Sequence, residues 1–213
     1  MKTILLAALA ATVLSVCAPG AVIFDNGAPN LIAGDNMSEF LMAEDFSLTG
    51  TYDLTNIRFW SLQSTANDYR GSVYWAIHSD GASAPGAIAF GGVTAAIAGV
   101  ATGNSAGAPL GYAEYVYDIN PGAVQLTAGT YWLALHNGPL ANIDPAEMLW
   151  ETTSTGSGLA GRYFDTTWVS TDQEHAFLIE GNRVVGGQVP EPGSLMLLGS
   201  GLALVLLRLK GRK

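Results

Sequence analysis

Through the middle of the chain, apolar residues recur at every second position. Val73, Trp75 and Ile77 alternate with Tyr74, Ala76 and His78, and Tyr131, Leu133 and Leu135 alternate with Trp132, Ala134 and His136. Tyr115, Tyr117 and Ile119 stand together against Glu114, Val116 and Asp118, and Ile57 and Phe59 lie two apart within 54–60. A period of two assigns each set to one face of an extended strand. Shorter β-rich stretches cover 46–48, 88–90, 148–152, 162–164 and 176–180. Turn clusters separate them, among them Ser79-Asp80-Gly81, Pro85-Gly86, Asn120-Pro121-Gly122 and His136-Asn137-Gly138-Pro139. No window between 22 and 189 keeps apolar residues at helical spacing for three turns. Eight or so short strands punctuated in this way predict an all-β domain, an antiparallel β-sandwich of jelly-roll type. Residues 81–111 hold 8 Gly and 10 Ala among 31 positions, which predicts that part of the segment is a long loop between strands.

Both ends break the alternation. After Met1-Lys2-Thr3 the chain is apolar from Ile4 to Val16 and then turns small at Cys17-Ala18-Pro19-Gly20-Ala21. That is the layout of a secretory signal peptide over residues 1–21, too short for a span. Cys17 is the only cysteine, so the exported domain, 22–188, holds no disulfide. At the other end, 193–207 carries no charge and is about 22 Å long as a helix. It predicts a single transmembrane helix, short for a hydrocarbon core of ~30 Å. Arg208, Lys210, Arg212 and Lys213 crowd the last six residues and favour retention of this tip inside the cell. The expected topology is a domain outside, a helix in the membrane and a basic cytoplasmic tip at 208–213. Pro190 and Pro192 flank Glu191 and keep the segment before the helix extended.

Charge narrows the partners. From 22 to 189 there are four arginines and no lysine against 17 carboxylates, a net charge of −13. Nucleic acid is excluded as a partner, because phosphate binding needs clustered cations. No nucleophile elbow, phosphate loop or metal-ligand spacing of His and Cys is present, so no catalytic residue and no metal ligand is assigned. His78, His136 and His175 read as strand-edge or loop residues. Glu44-Asp45, Asp25-Asn26-Gly27 and Asp35-Asn36 offer oxygens that calcium would take, with turn chemistry as the favoured reading; no cofactor is expected. Tyr74, Trp132, Trp60 and Trp168 are the rings that a sugar would stack on if they stood outside the core. A second packed sheet face is the favoured alternative for them. A carboxylate pair hydrolysing glycosides is the third and weakest option.

Val189-Pro190-Glu191-Pro192, the apolar run with Gly199 and Gly201, and the terminal Arg/Lys cluster closely resemble the PEP-CTERM sorting segment of Gram-negative bacteria, here 189–213. The resemblance implies recognition and processing by an exosortase, in species that make exopolysaccharide or biofilm. The body is similar, less specifically, to the exported β-sandwich domains of such proteins, through Ala43-Glu44-Asp45-Phe46, Ile57-Arg58-Phe59-Trp60, Ile77-His78-Ser79-Asp80 and Leu126–Leu133. The expected protein is therefore non-enzymatic, exported to the cell envelope or matrix, and associated with exopolysaccharide. A carbohydrate-binding module is the alternative and a glycoside hydrolase the remote one.

Overall fold

The computed structural model describes residues 20–107, 109, 111–141, 146–156, 158–164 and 166–185. Residues 1–19 of the expected signal peptide, the sorting triplet Pro190-Glu191-Pro192, the helix expected over 193–207 and the basic residues Arg208, Lys210, Arg212 and Lys213 lie outside them, while Ala21, the last residue expected in the signal peptide, opens β1. Fourteen strands make up 62% of the described residues: β1 (Ala21–Asp25), β2 (Pro29–Asn36), β3 (Leu41–Leu48), β4 (Tyr52–Gln63), β5 (Val73–Asp80), β6 (Pro85–Val93), β7 (Val100–Ser105), β8 (Ala113–Ile119), β9 (Gln125–Leu126), β10 (Gly129–Asn137), β11 (Met148–Thr153), β12 (Ala160–Phe164), β13 (Thr167–Thr171) and β14 (Phe177–Arg183). No helix among the described residues is long and apolar enough to cross a membrane.

The strands form two antiparallel sheets packed face to face, the expected sandwich. The first runs β1-β14-β4-β11-β2, and β4 also pairs with β8 and β9 on its other edge, β8 carrying β7. The second runs β13-β12-β3-β10-β5-β6. Within 81–111, β6 takes in the strand expected over 88–90, while β7 falls in the part expected to be loop. The small side chains of this stretch suit it to these positions. Gly91 lies where a Cβ would stand 2.9 Å from the Trp75 carbonyl oxygen, so the backbones approach closely. β7 is exposed along its whole length and has little to bury.

The alternation read from sequence sets the core. Ile57, Phe59, Tyr117, Ile119, Trp150, Phe177 and Ile179 point inward from the first sheet; Met42, Phe46, Trp75, Ile77, Leu133 and Leu135 meet them from the second. Aromatic rings interlock there, with Phe59 stacked on Tyr117 at 5.3 Å and Phe46 edge-on to Phe177 at 6.3 Å.

One polar tie crosses this apolar layer. Glu44 is the inward residue of β3 between Met42 and Phe46, and it is fully buried. Its Oε1 accepts from the His175 backbone N–H at 2.6 Å and faces Nδ1 of the same residue at 2.5 Å. The other ring nitrogen, Nε2, meets Asp35 Oδ2 on β2 at 3.0 Å. The imidazole also stacks on Trp150 at 4.9 Å. Burial pulls the imidazole toward neutrality, but Asp35 and Glu44 outweigh it and hold His175 up at about 9. Burial likewise pushes Glu44 up to about 7, against the pull of His175. Of the three acidic stretches weighed for calcium, two thus spend a carboxylate on this imidazole. In the third, Asp25 Oδ1 caps its own turn by accepting from Gly27 N at 2.8 Å.

Both shifts are upward from the unfolded values, so both contributions are complete at low pH and fade as pH rises, Glu44's through about 7 and His175's through about 9. Thermal melts should therefore fall progressively from pH 6 to 10, and His175→Gln should flatten the upper part of that fall. Glu44→Ala, which strips the buried imidazolium of one ionised partner, should cost about 3–5 kcal/mol in chemical denaturation at pH 8, between the two pKa values. A melting profile with the same alkaline slope in His175→Gln and wild type would assign the slope elsewhere.

Candidate functional site

The second sheet turns a second patterned face outward. Across five neighbouring strands, Gly161 (β12) pairs Ala43 (β3), Ala43 pairs Ala134 (β10), Ala134 pairs Ala76 (β5), and Ala76 pairs Gly91 (β6). With strands ~4.8 Å apart, this row of minimal side chains runs roughly 19 Å across the sheet. Larger groups flank it. On one side Trp132 pairs His78, and His78 pairs Ile88. On the other, Tyr163 pairs both Leu41 and Trp168, and His136 pairs Tyr74.

Trp132 fills the low ground. It is buried with Ala43, Ala76 and Ala134 in a small apolar cluster separate from the main core, with Leu41, Tyr74 and Trp168 packed against it. Its Nε1 donates to Asp80 Oδ1 at 3.0 Å, which pins the indole and holds the Asp80 carboxyl below the usual carboxylate range. Above this floor lies an open groove of about 850 Å³. Phe40, Leu41, Tyr74, Ile88, Tyr163 and Trp168 form its walls, and His78, His136 and exposed Glu39 supply polar groups. Trp168 stands edge-on to Tyr163 at 5.4 Å and to His78 at 5.7 Å, so the three rings brace one another. Burial lowers the pKa of His136, leaving it a neutral ring. Mostly apolar walls with a few fixed polar groups are the general build of a ligand site.

The four rings singled out from sequence thus part company. Tyr74 and Trp168 line the groove, and Trp132 lies beneath it as packing. Trp60 belongs to β4 in the other sheet, paired with Val116. Tyr163 and the imidazoles of His78 and His136 were missed as members. Their faces were legible from alternation, but the strand neighbours that bring them together were not.

Two acids do converge, though not in the groove. Glu114 (β8) pairs Leu62 of β4, and Glu151 (β11) stands two positions beyond Leu149, the residue paired with Leu62 from the other edge; both acids are buried on the outer face of the first sheet. Glu114 Oε2 accepts from Thr102 Oγ1 and, at 3.0 Å, from Asn104 Nδ2; Glu151 Oε1 accepts from Leu31 N at 2.7 Å. Leu31 holds a left-handed backbone at φ 58° to make that bond. The remaining oxygens, Glu114 Oε1 and Glu151 Oε2, have no donor. Burial, together with the neighbouring Glu114, pushes Glu151 up to about 8, while the Leu31 N–H pulls the other way. A proton on Glu151 at neutral pH supplies the missing donor between the two acids. The pair is a sealed structural contact with no opening to the groove, whose lining includes one acid, Glu39. Among the described residues no group of three or more His, Cys, Asp or Glu is placed to hold a metal ion.

Residues 188–213 match the PEP-CTERM protein-sorting motif. The motif covers the segment identified from Pro190-Glu191-Pro192 and the basic tip, and it marks the chain as an exported protein sorted to the cell envelope or beyond by an exosortase. No curated protein matches the chain.

The Glu151 proton sets a testable sign. A carboxyl raised from 4.5 to about 8 stabilises the fold below pH 4.5 relative to higher pH, and this stabilisation is lost as pH rises through about 8. Glu151→Gln keeps the shape and carries a permanent donor toward Glu114. It should melt close to wild type at pH 5 and clearly above it at pH 9. A variant destabilised equally at both pH values would mean that Glu151 is needed ionised.

Proposed function

We propose that the sandwich is a non-enzymatic polysaccharide-binding module, placed at the cell envelope or in the surrounding matrix by its sorting segment. The aromatic groove on the outer face of the second sheet carries this reading. A sugar ring presents an apolar face and a rim of hydroxyls; the first suits flat aromatic walls and the second suits a few fixed polar groups. Trp168, Tyr163 and Tyr74 are partly exposed and aligned along one side of the small-residue row, where successive rings of a chain would lie. They are stiffened by contacts with one another and with the Trp132 floor, so little freedom is lost on binding.

The non-enzymatic part rests on the distribution of acids. Glycoside hydrolysis uses two carboxyl groups facing one scissile bond across ~5–10 Å. Among the described residues Glu39 is the acid lining the groove, and the acids that do meet, Glu114 and Glu151, are buried on the other sheet. Delivery to an envelope rich in exopolysaccharide would give the groove its ligand. No calcium is needed for this reading, since the groove is built from rings and imidazoles.

Affinity electrophoresis of the mature protein in gels containing the source organism's own exopolysaccharide, backed by a glycan array, is the direct test. Retention is expected, and Trp168→Ala or Tyr163→Ala should weaken it about tenfold, or ~1.4 kcal/mol, with small changes in melting temperature. Absence of retention across both panels would remove the proposal. Sorting is tested separately by intact mass: the mature protein from a strain with active exosortase should lack residues 1–21 and its C-terminal end beyond the Pro190-Glu191-Pro192 region. Full retention of the C-terminal residues in that strain would overturn processing.

A further inference from the structure

The groove has a polarity that its aromatic walls do not explain. His78 and His136 both line it, and each turns Nδ1 to a backbone carbonyl, Gly86 O at 2.9 Å and Gly138 O at 3.0 Å. A carbonyl only accepts, so Nδ1 carries the proton in each neutral ring and Nε2 is left as a lone-pair acceptor. His78 Nε2 is buried and has no hydrogen-bond partner. The Trp168 indole packs against the imidazole, perpendicular to it, with 5.7 Å between the ring centres. An acceptor kept from water and from any donor destabilises the fold, and a phenyl ring would fill the same space without that penalty. Among the described residues no lysine or arginine lines the groove; Arg162 sits 5.1 Å from the centre of the Phe40 ring, and Glu39 is the charged lining residue.

Resting on the polysaccharide reading, we infer that the groove selects neutral, hydroxyl-rich sugar chains over uronate-containing ones, with His78 Nε2 as the acceptor for one ligand hydroxyl once the Trp168 ring turns aside. A hydroxyl brings the donor that Nε2 lacks. A carboxylate brings only lone pairs, which would face the imidazole acceptors and Glu39 in a domain whose net charge is −13 over 22–189. Sites built around a specific hydrogen bond discriminate strongly against ligands that cannot make it. His78 is thus a specificity residue held in register by Gly86, and Trp168 is the wall packed against it.

The test is affinity electrophoresis of the mature protein in gels holding dextran, galactomannan or hydroxyethylcellulose as neutral probes, and alginate or polygalacturonate as anionic ones. Retention by at least one neutral probe and by neither anionic probe is expected. His78→Phe should weaken that retention about tenfold while melting at or above wild type, and His78→Gln, which keeps an acceptor, should recover part of the loss. Alginate or polygalacturonate retained as well as the neutral probes would overturn the selectivity, and this comparison needs only the wild-type protein. His78→Phe binding like wild type would overturn the role of His78 and leave polysaccharide binding standing. No retention in any gel would remove the polysaccharide reading and this inference with it.

Discussion

The arrangement depends on one constraint: the second sheet is apolar on both faces. From Trp132 to Asn137 every residue of β10 is buried, so neither face can be left to water. One face solves this by packing on the first sheet. The other meets no third layer among the described residues, and it covers itself with its own large residues. Trp132 lies down over Ala43, Ala76 and Ala134, and the edge hairpin of β12 and β13 brings Trp168 and Tyr163 against it. This self-cover is incomplete by construction. A flat sheet roofed by a few rings leaves a trough between them, and that trough is the groove.

How much of this could be read in advance follows the range of the interactions. The facing of Val73, Trp75 and Ile77, or of Leu133 and Leu135, is a property of single strands, and period-two alternation displayed it directly. The role of Trp132 as against Trp168 is a matter of neighbours. Both are outward-facing indoles, but one sits on a central strand over three alanines and the other on an edge strand. The row Gly161–Ala43–Ala134–Ala76–Gly91 draws on residues more than a hundred positions apart, and no local pattern announces it. Local composition misled in part of 81–111, β7 above all, where glycine and alanine read as loop. Pairing with β5 and β8 supplies the order that those side chains do not. Glu44 looked like one half of an acidic pair on a turn, yet strand alternation places it with Met42 and Phe46 inside the core.

Three buried titratable groups share a common direction. His175, Glu44 and Glu151 are all held above their ordinary pKa values, each for a reason that can be named: two carboxylates around an imidazole, or carboxyls shut away from water. The mature stretch also carries far more carboxylate than guanidinium, with no lysine to relieve it. Interior and surface therefore agree, since protonation eases repulsion outside and supplies missing donors inside. A chain exported to an envelope loses the buffering of the cytoplasm, and this one is built to lean toward the acid side.

The position of the His175 tie has a mechanical meaning. His175 stands two residues before β14, the strand whose far end at Arg183 leads toward the sorting segment, and Glu44 belongs to the sheet that bears the groove. A polymer gripped in that groove and a tail held at the envelope would pull the two sheets against each other. The load would enter through β3, β10 and β5 and leave through β14. Interdigitated rings resist such sliding only over short distances, whereas the imidazolium between Glu44 and Asp35 must break charged hydrogen bonds before the sheets can shear. It would sit in such a load path as a rivet, beside the strand that leads toward the sorting segment.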